Sequence, residues 1–207
     1  MSQDRQENTI RLPAAVHHGT VSLEQALLQR RSVRQYNDEP LPLEKASQLL
    51  WAAQGVTHAS GFRTAPSAGA LYPLETYLIA GKVTGLDAGV YLYDPRRHAL
   101  VRKALGEKRG DLSRAALGQL PVGRAPATIL LAAVYDRTTG KYGRRGVRYV
   151  RMEAGHAAQN IALQAVSLDL GAVFIGAFED DLVKQVVGLG ALETPLYLLP
   201  VGLRAAF

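Results

Sequence analysis

The run Pro126-Ala-Thr-Ile-Leu-Leu-Ala-Ala-Val-Tyr135 constrains the fold more than any other stretch of this 207-residue chain. A strand with one wet face alternates polar and apolar residues. This run does not alternate, so it suits a buried central strand covered on both faces. Further on, Val147, Val150, Ala154, Ala157, Ala158, Ile161, Ala165 and Leu168 recur at the helical period. They predict the longest helix of the chain, with Gly171 as its stop.

The other elements fall around these two. Ser22-Leu23-Glu24-Gln25 reads as a capping box that opens a helix, with Leu23, Ala26 and Leu27 on one face. A second helix is expected from Pro42 to Gly55, carrying Ala46, Leu49, Leu50 and Ala53 inward. Residues 59–73 are rich in Gly, Ser, Ala and Pro and read as a loop. Strands are expected at Glu75–Ala80, Gly89–Tyr93, Ala99–Lys103, Ala172–Gly176 and Leu196–Val201. Short helices are expected at Asp111–Leu117 and Asp180–Val187, and a basic connection at Asp136–Gly146. Helices and strands mix without repeated βαβ units, which gives an α+β layer fold. Residues 1–21 read as an N-terminal arm and 22–207 as one domain.

Composition excludes several classes of function. The chain has no cysteine, which removes a disulfide scaffold, a thiolate zinc site, an iron–sulfur cluster and a cysteine nucleophile. No stretch approaches the ~18 apolar residues of a membrane span, and the start has no apolar signal core, so a cytoplasmic protein is expected. The net charge of +6 points to an anionic partner. No dinucleotide fingerprint, Walker A loop, His-Glu-x-x-His or Gly-x-Ser-x-Gly occurs. Glu153-x-x-His156 has the spacing of half a di-iron site, but no second copy exists. No metal is therefore expected, and His156 reads as a packing histidine. The basic stretch 137–151 reads as a solvated face first, a rim around an anionic ligand second, and a nucleic-acid surface last.

Arg30-Arg31-Ser32-Val33-Arg34-Gln35-Tyr36 is the sharpest local feature. On a continued helix Arg30 and Arg34 share a face, where like charges repel by about 0.2–0.5 kcal/mol unless an anion lies between them. Guanidinium forks and the Ser32 hydroxyl suit a phosphate. This segment resembles the Arg-x-Ser-x-Arg-x-aromatic opening of the FMN-dependent nitroreductase family. Four further segments are similar to its SagB-type dehydrogenase branch, the thiazoline/oxazoline oxidases. They are residues 65–75 (APSAGALYPLE), Lys141-Tyr142-Gly143 with Arg148-Tyr149, Glu153-Ala-Gly-His156-x-x-Gln159-Asn160, and Phe174-Ile-Gly-Ala-Phe178.

The resemblance implies a three-layer fold with a mostly antiparallel sheet between helices, and an interlocked homodimer with FMN at its interface. Arg30, Ser32 and Arg34, with Arg31 as a neighbour, would hold the FMN phosphate and the pyrimidine edge. Pro66, Ser67, Ala68 and Ala70 would line the flavin ring. Ile175, Gly176 and Ala177 would face its reactive middle, and Arg204 would add a phosphate contact. Lys141 and Tyr142 would do the acid–base work of azoline oxidation. Gln159 and Asn160 are expected to satisfy backbone groups or a dimer interface. The competing activity is NAD(P)H-driven reduction of nitro compounds or quinones. The competing class is a non-enzymatic nucleic-acid- or flavin-binding protein.

Overall fold

The structure is a computed structural model and describes residues 8–205. The first seven residues of the expected arm lie outside the described residues. Seven strands form one sheet in the order β1-β4-β3-β2-β5-β7-β6: β1 Thr9–Arg11, β2 Leu74–Ala80, β3 Gly89–Asp94, β4 Ala99–Leu105, β5 Ala127–Val134, β6 Leu170–Ala172 and β7 Glu193–Leu203. Every pairing between these strands is antiparallel. The helices are α1 Leu23–Gln29, α2 Leu43–Gln54, α3 Arg109–Ala115, α4 Leu120–Arg124, α5 Asp136–Tyr142, α6 Arg145–Ser167 and α7 Asp180–Val187.

The apolar run is β5, between β2 and β7. Its alternate residues serve two cores. Ala127, Ile129, Leu131 and Ala133 pack with α2 and α6 through Leu49, Leu50, Val150, Ala157 and Ile161. Leu130 and Ala132 pack with α3, α4 and α7 through Leu112, Val122, Val183 and Val187. Both faces are dry, which is why the run has no polar alternation. The result is the expected α+β arrangement of helices, antiparallel sheet and helices.

Several expected elements differ. Asp136–Gly146 is not a plain connection, because most of it is α5. Gly140 reads as a breaker, yet one helical glycine costs only about 1 kcal/mol. Gly146 is needed because α5 crosses α6 there. A Cβ on it would lie 2.9 Å from the Thr139 Cα. Gly171 does not end the long helix. That helix stops at Ser167, Asp169 takes the left-handed turn at φ 56°, and Gly171 lies inside β6. The expected strand Ala172–Gly176 shortens to β6 plus one bridge, Ile175 to Leu198. The closing strand runs past both Pro195 and Pro200, with a register shift opposite Leu131/Ala132. A bulge lets a proline stay in a strand.

Residues 8–21 are tied down. β1 pairs with β4, Leu12 is buried, and the Ser47 hydroxyl donates to the Pro13 carbonyl at 2.7 Å. On α1 only Ala26 is buried. The expected apolar face is otherwise uncovered, with Leu23, Leu27 and Leu28 at 61%, 52% and 72% exposure. No helix among the described residues is long and apolar enough to cross a membrane.

Candidate active site in two halves

The first half lies along β6. Helix α1 ends at Gln29, with Arg30 as its cap. Arg30 and Arg34 are therefore not on one helix. Ser32 instead makes a parallel bridge to Ala172, and the Val33 N–H donates to the Ala172 carbonyl at 3.0 Å. Strand geometry has period two, so positions 30, 32 and 34 share a side opposite Val33. Ser32 and Arg34 are exposed. An Arg34 Nη donates to the Ser32 carbonyl at 3.4 Å. Arg31 turns back and donates to the Leu28 and Arg30 carbonyls at 2.9 and 2.8 Å, at the C-terminal end of α1. Arg204 joins the same edge. Its backbone bridges Tyr36, and its Nε donates to the Leu170 carbonyl at 3.1 Å. The Tyr36 hydroxyl lies 3.0 Å from the Val33 carbonyl and 3.1 Å from that of Pro200. Burial raises the Tyr36 phenol far above its ordinary pKa, so it stays a donor.

Gly171 makes the close approach possible. A Cβ there would meet the Val33 Cγ1 at 2.5 Å. Gly171→Ala is expected to destabilise the fold by about 1–3 kcal/mol, the usual cost of overpacking. Adding Val33→Ala should recover most of the loss in a thermal melt. A G171A melt equal to wild type would contradict the packing.

Ile175 is buried, and its backbone N–H and carbonyl both pair with Leu198 at 2.9 Å. Gly176 and Ala177 are exposed at the end of this turn, and the Ala177 carbonyl accepts from Gln119 Nε2 at 2.8 Å.

The second half lies at the other end of α6. Residues 66–72 form a tight turn before β2. The Tyr72 N–H donates to Ser67 Oγ at 2.9 Å, and the Ala70 N–H to the Ser67 carbonyl at 3.0 Å. Gly69, Ala70 and Tyr72 are left-handed, at φ 64°, 53° and 48°. Two of these carry a Cβ, so the turn is strained and must be held from outside. Pro66, Gly69 and Ala70 are exposed, and Ser67 and Ala68 are half-buried. The turn meets the expected acid–base pair. A Cβ on Gly69 would lie 2.9 Å from Tyr142 Oη and 3.1 Å from Lys141 Nζ. Lys141 Nζ stands 5.5 Å from the Tyr142 ring centre, and that ring meets Tyr149 edge-on at 5.2 Å. Arg137 pairs with Glu75 and donates to the Tyr72 carbonyl, which fixes the base of the turn. Arg144, Arg145, Arg148 and Arg151 are exposed beside the pair.

Glu153 is a member of this half that the sequence reading passed over. The sequence places it in the long-helix segment that resembles the SagB-type branch and, with His156, at the spacing of half a di-iron site, but gives it no role. His156 is in fact exposed, not packed, and Glu153 is 3% exposed among the inward residues of α6. Its spacing from Val150, Ala154 and Ala157 was the available signal. Its Oε1 has no hydrogen-bond partner in the structure, while the Ser67 hydroxyl and Arg63 act on the carboxylate. Burial outweighs both and pushes the carboxyl up to about 7. Asn160, on the same helix, donates to the Thr64 carbonyl at 3.3 Å, as expected of a backbone-satisfying residue.

This carboxyl has a consequence for stability. The folded state keeps the Glu153 proton up to about pH 7, whereas the unfolded chain releases it near 4.5. Its favourable contribution is therefore complete below pH 4.5 and is lost as the pH rises through 7. Glu153→Gln should be more stable than wild type at pH 8 by about 3 kcal/mol, roughly 2.5 pKa units at ~1.36 kcal/mol each. The difference should vanish near pH 4.5. Denaturant melts at the two pH values check it, and a gap independent of pH would contradict it.

The donor set of the first half fits a phosphate. It offers guanidinium groups at Arg30, Arg34 and Arg204 and a hydroxyl at Ser32, with no carboxylate among these positions. The second half suits a flat ring in that its turn presents backbone and small side chains, and the missing Cβ of Gly69 lets Tyr142 Oη and Lys141 Nζ come close to that turn.

Fold and site together define an oxidoreductase of the general flavin type. The family model described as "Nitroreductase family" matches residues 27–203. The chain is 49% identical over 182 residues to a Methanocaldococcus jannaschii protein named as a nitroreductase, covering 88% of this chain and 91% of that one. A crystal structure of a nitroreductase-named protein from Ralstonia eutropha JMP134 superposes with a TM-score of 0.84 at 29% identity, covering 97% of this chain and 91% of that one. The trifolitoxin-processing protein TfxB of Rhizobium leguminosarum bv. trifolii is 26% identical over 134 residues, 61% of this chain but only 35% of TfxB. The chain belongs to the nitroreductase family and is an oxidoreductase enzyme.

Proposed function

We propose that this enzyme is an FMN-dependent, SagB-type dehydrogenase acting as a homodimer on azoline-bearing peptides. The observation that carries this reading is the seating of Lys141 and Tyr142 against the 66–72 turn. FMN, when bound, supplies the hydride-accepting ring. Arg30, Ser32, Arg34 and Arg204 would hold its phosphate, with Arg31 at the margin. Ile175, Gly176 and Ala177 would face its ring from one protomer. Pro66, Ser67, Ala68 and Ala70 would line it from the other. Lys141 is the group for taking the substrate proton, and the Tyr142 hydroxyl beside it shares that proton. The name of TfxB, a toxin-processing relative, supports a peptide substrate.

The positions of the two halves support a homodimer. The cradle hangs on β6, just past the C-terminal end of α6, and the Lys141–Tyr142 pair just before its N-terminal end. A helix of 23 residues spans about 34 Å. Two copies of α6 crossing in opposite directions would bring one half from each protomer together. The uncovered leucines of α1 support such a contact. So does a groove of about 830 Å³ between residues 13–26, α2 and α6, lined by Trp51, Leu163 and Gln164 among others.

NAD(P)H-driven reduction of nitro compounds or quinones is the second reading, favoured by the name of the archaeal relative. Two assays on one preparation separate them: an azoline peptide with an electron acceptor, and NAD(P)H with a nitroaromatic. Azoline turnover supports the proposal. Turnover of the nitroaromatic alone transfers the site to the second reading. Salt-sensitive nucleic-acid binding without either activity would favour the non-enzymatic class.

A further inference from the structure

We propose that Glu153 is the positioning residue of the acid–base half: its buried carboxyl holds the Ser67 hydroxyl, and through it the left-handed turn that seats Gly69 against Lys141 and Tyr142. The inference rests on the proposed roles of those two residues.

Glu153 is buried on α6, its Oε1 has no hydrogen-bond partner, and Ser67 lies close enough for its hydroxyl to act on the carboxylate. A carboxylate only accepts, so in the proposed contact the Ser67 hydroxyl is the donor. Its Oγ lone pairs are then free for the Tyr72 N–H, the contact seen at 2.9 Å. That contact spans the two residues of the turn that carry positive φ without being glycine, Ala70 and Tyr72. The turn is costly on its own, so an outside anchor is required. A protonated carboxyl offers its own O–H to Ser67 Oγ and competes with Tyr72. The anchor is therefore tighter when Glu153 is ionised.

The charged neighbours have fixed partners. Arg63 reaches Gln54 Oε1 at 2.8 Å and stacks 4.4 Å over the Tyr72 ring. Glu75 of β2 and Arg137 of α5 pair with each other and act on Arg63 with opposite signs. Tyr93 of β3 is kept neutral by its own burial. Lys141 and Tyr142 face the outer side of the turn.

The test uses the full chain with Glu153→Ala, Glu153→Gln and Ser67→Ala. In whichever reaction the enzyme turns over, E153A and S67A should each lower kcat about tenfold, the size of one well-placed hydrogen bond, with little change in KM. The double variant should be no worse than either single one, because both remove one contact. E153Q keeps an acceptor oxygen, so it should recover kcat to within about threefold. It should also lack the acid limb near pH 7 that is expected of the wild type. Hydrogen exchange at the Tyr72 amide is read on the same proteins without flavin. Protection should fall about tenfold in E153A and S67A and persist in E153Q. E153A with wild-type kcat and wild-type Tyr72 protection overturns the proposal. So does an E153Q that is as slow as E153A while keeping the limb. If the protein binds no flavin, the functional reading fails, and the exchange experiment still decides the role of Glu153.

Discussion

Lys141→Ala is expected to lower azoline turnover by about 10²–10⁴-fold, the range for removal of a general base. Bound flavin and thermal stability should not change. The side chain is exposed at the end of α5 and makes no buried contact whose loss would disturb the fold. Tyr142→Phe should cost less, because it removes one hydroxyl and keeps the ring against Tyr149. The order of these two effects matters. Equal losses of activity and flavin in K141A would make Lys141 a binding residue. Unchanged turnover would end its catalytic role.

The second large effect is on the cofactor. Charge-assisted hydrogen bonds to a phosphate contribute about 1.5–3 kcal/mol each. Arg34→Ala should therefore weaken FMN binding about 10–100-fold, and Arg30→Ala with Arg34→Ala about 10²–10⁴-fold. Riboflavin lacks the phosphate, so its affinity should be nearly the same in all three proteins. Equilibrium titrations with both flavins read the ratio directly. Parallel losses for FMN and riboflavin would place the arginines elsewhere on the ring or in the fold. Arg31→Ala is expected to have a small effect, since its hydrogen bonds go to the end of α1.

What the sequence made legible follows from how each signal arises. The dry faces of β5 and the inward stripe of α6 are direct consequences of composition along one element. Both were readable without knowing any partner. The shared helix face expected of Arg30 and Arg34 does not form. Helix α1 ends before them, and the parallel bridge to β6 gives them strand spacing instead. That bridge depends on Gly171, whose role is a contact with Val33 far away in the chain. Long-range contacts of this kind leave no local pattern. The same holds for the turn at 66–72. Small residues there predicted a loop, but nothing local marks Ala70 and Tyr72 as left-handed. Glu153 is legible in its helical register and in the segment that resembles the SagB-type branch, but its depth of burial is not. Burial, not coordination, is what makes it chemically distinctive.

FMN is proposed to lie between the two halves. The most direct measurement is the absorption spectrum of the purified protein, followed by identification of the pigment released on denaturation. A yellow protein that releases one FMN per chain, or a colourless one that takes up FMN to that ratio, is the predicted result. A protein that carries no flavin and binds none when FMN is supplied would contradict it.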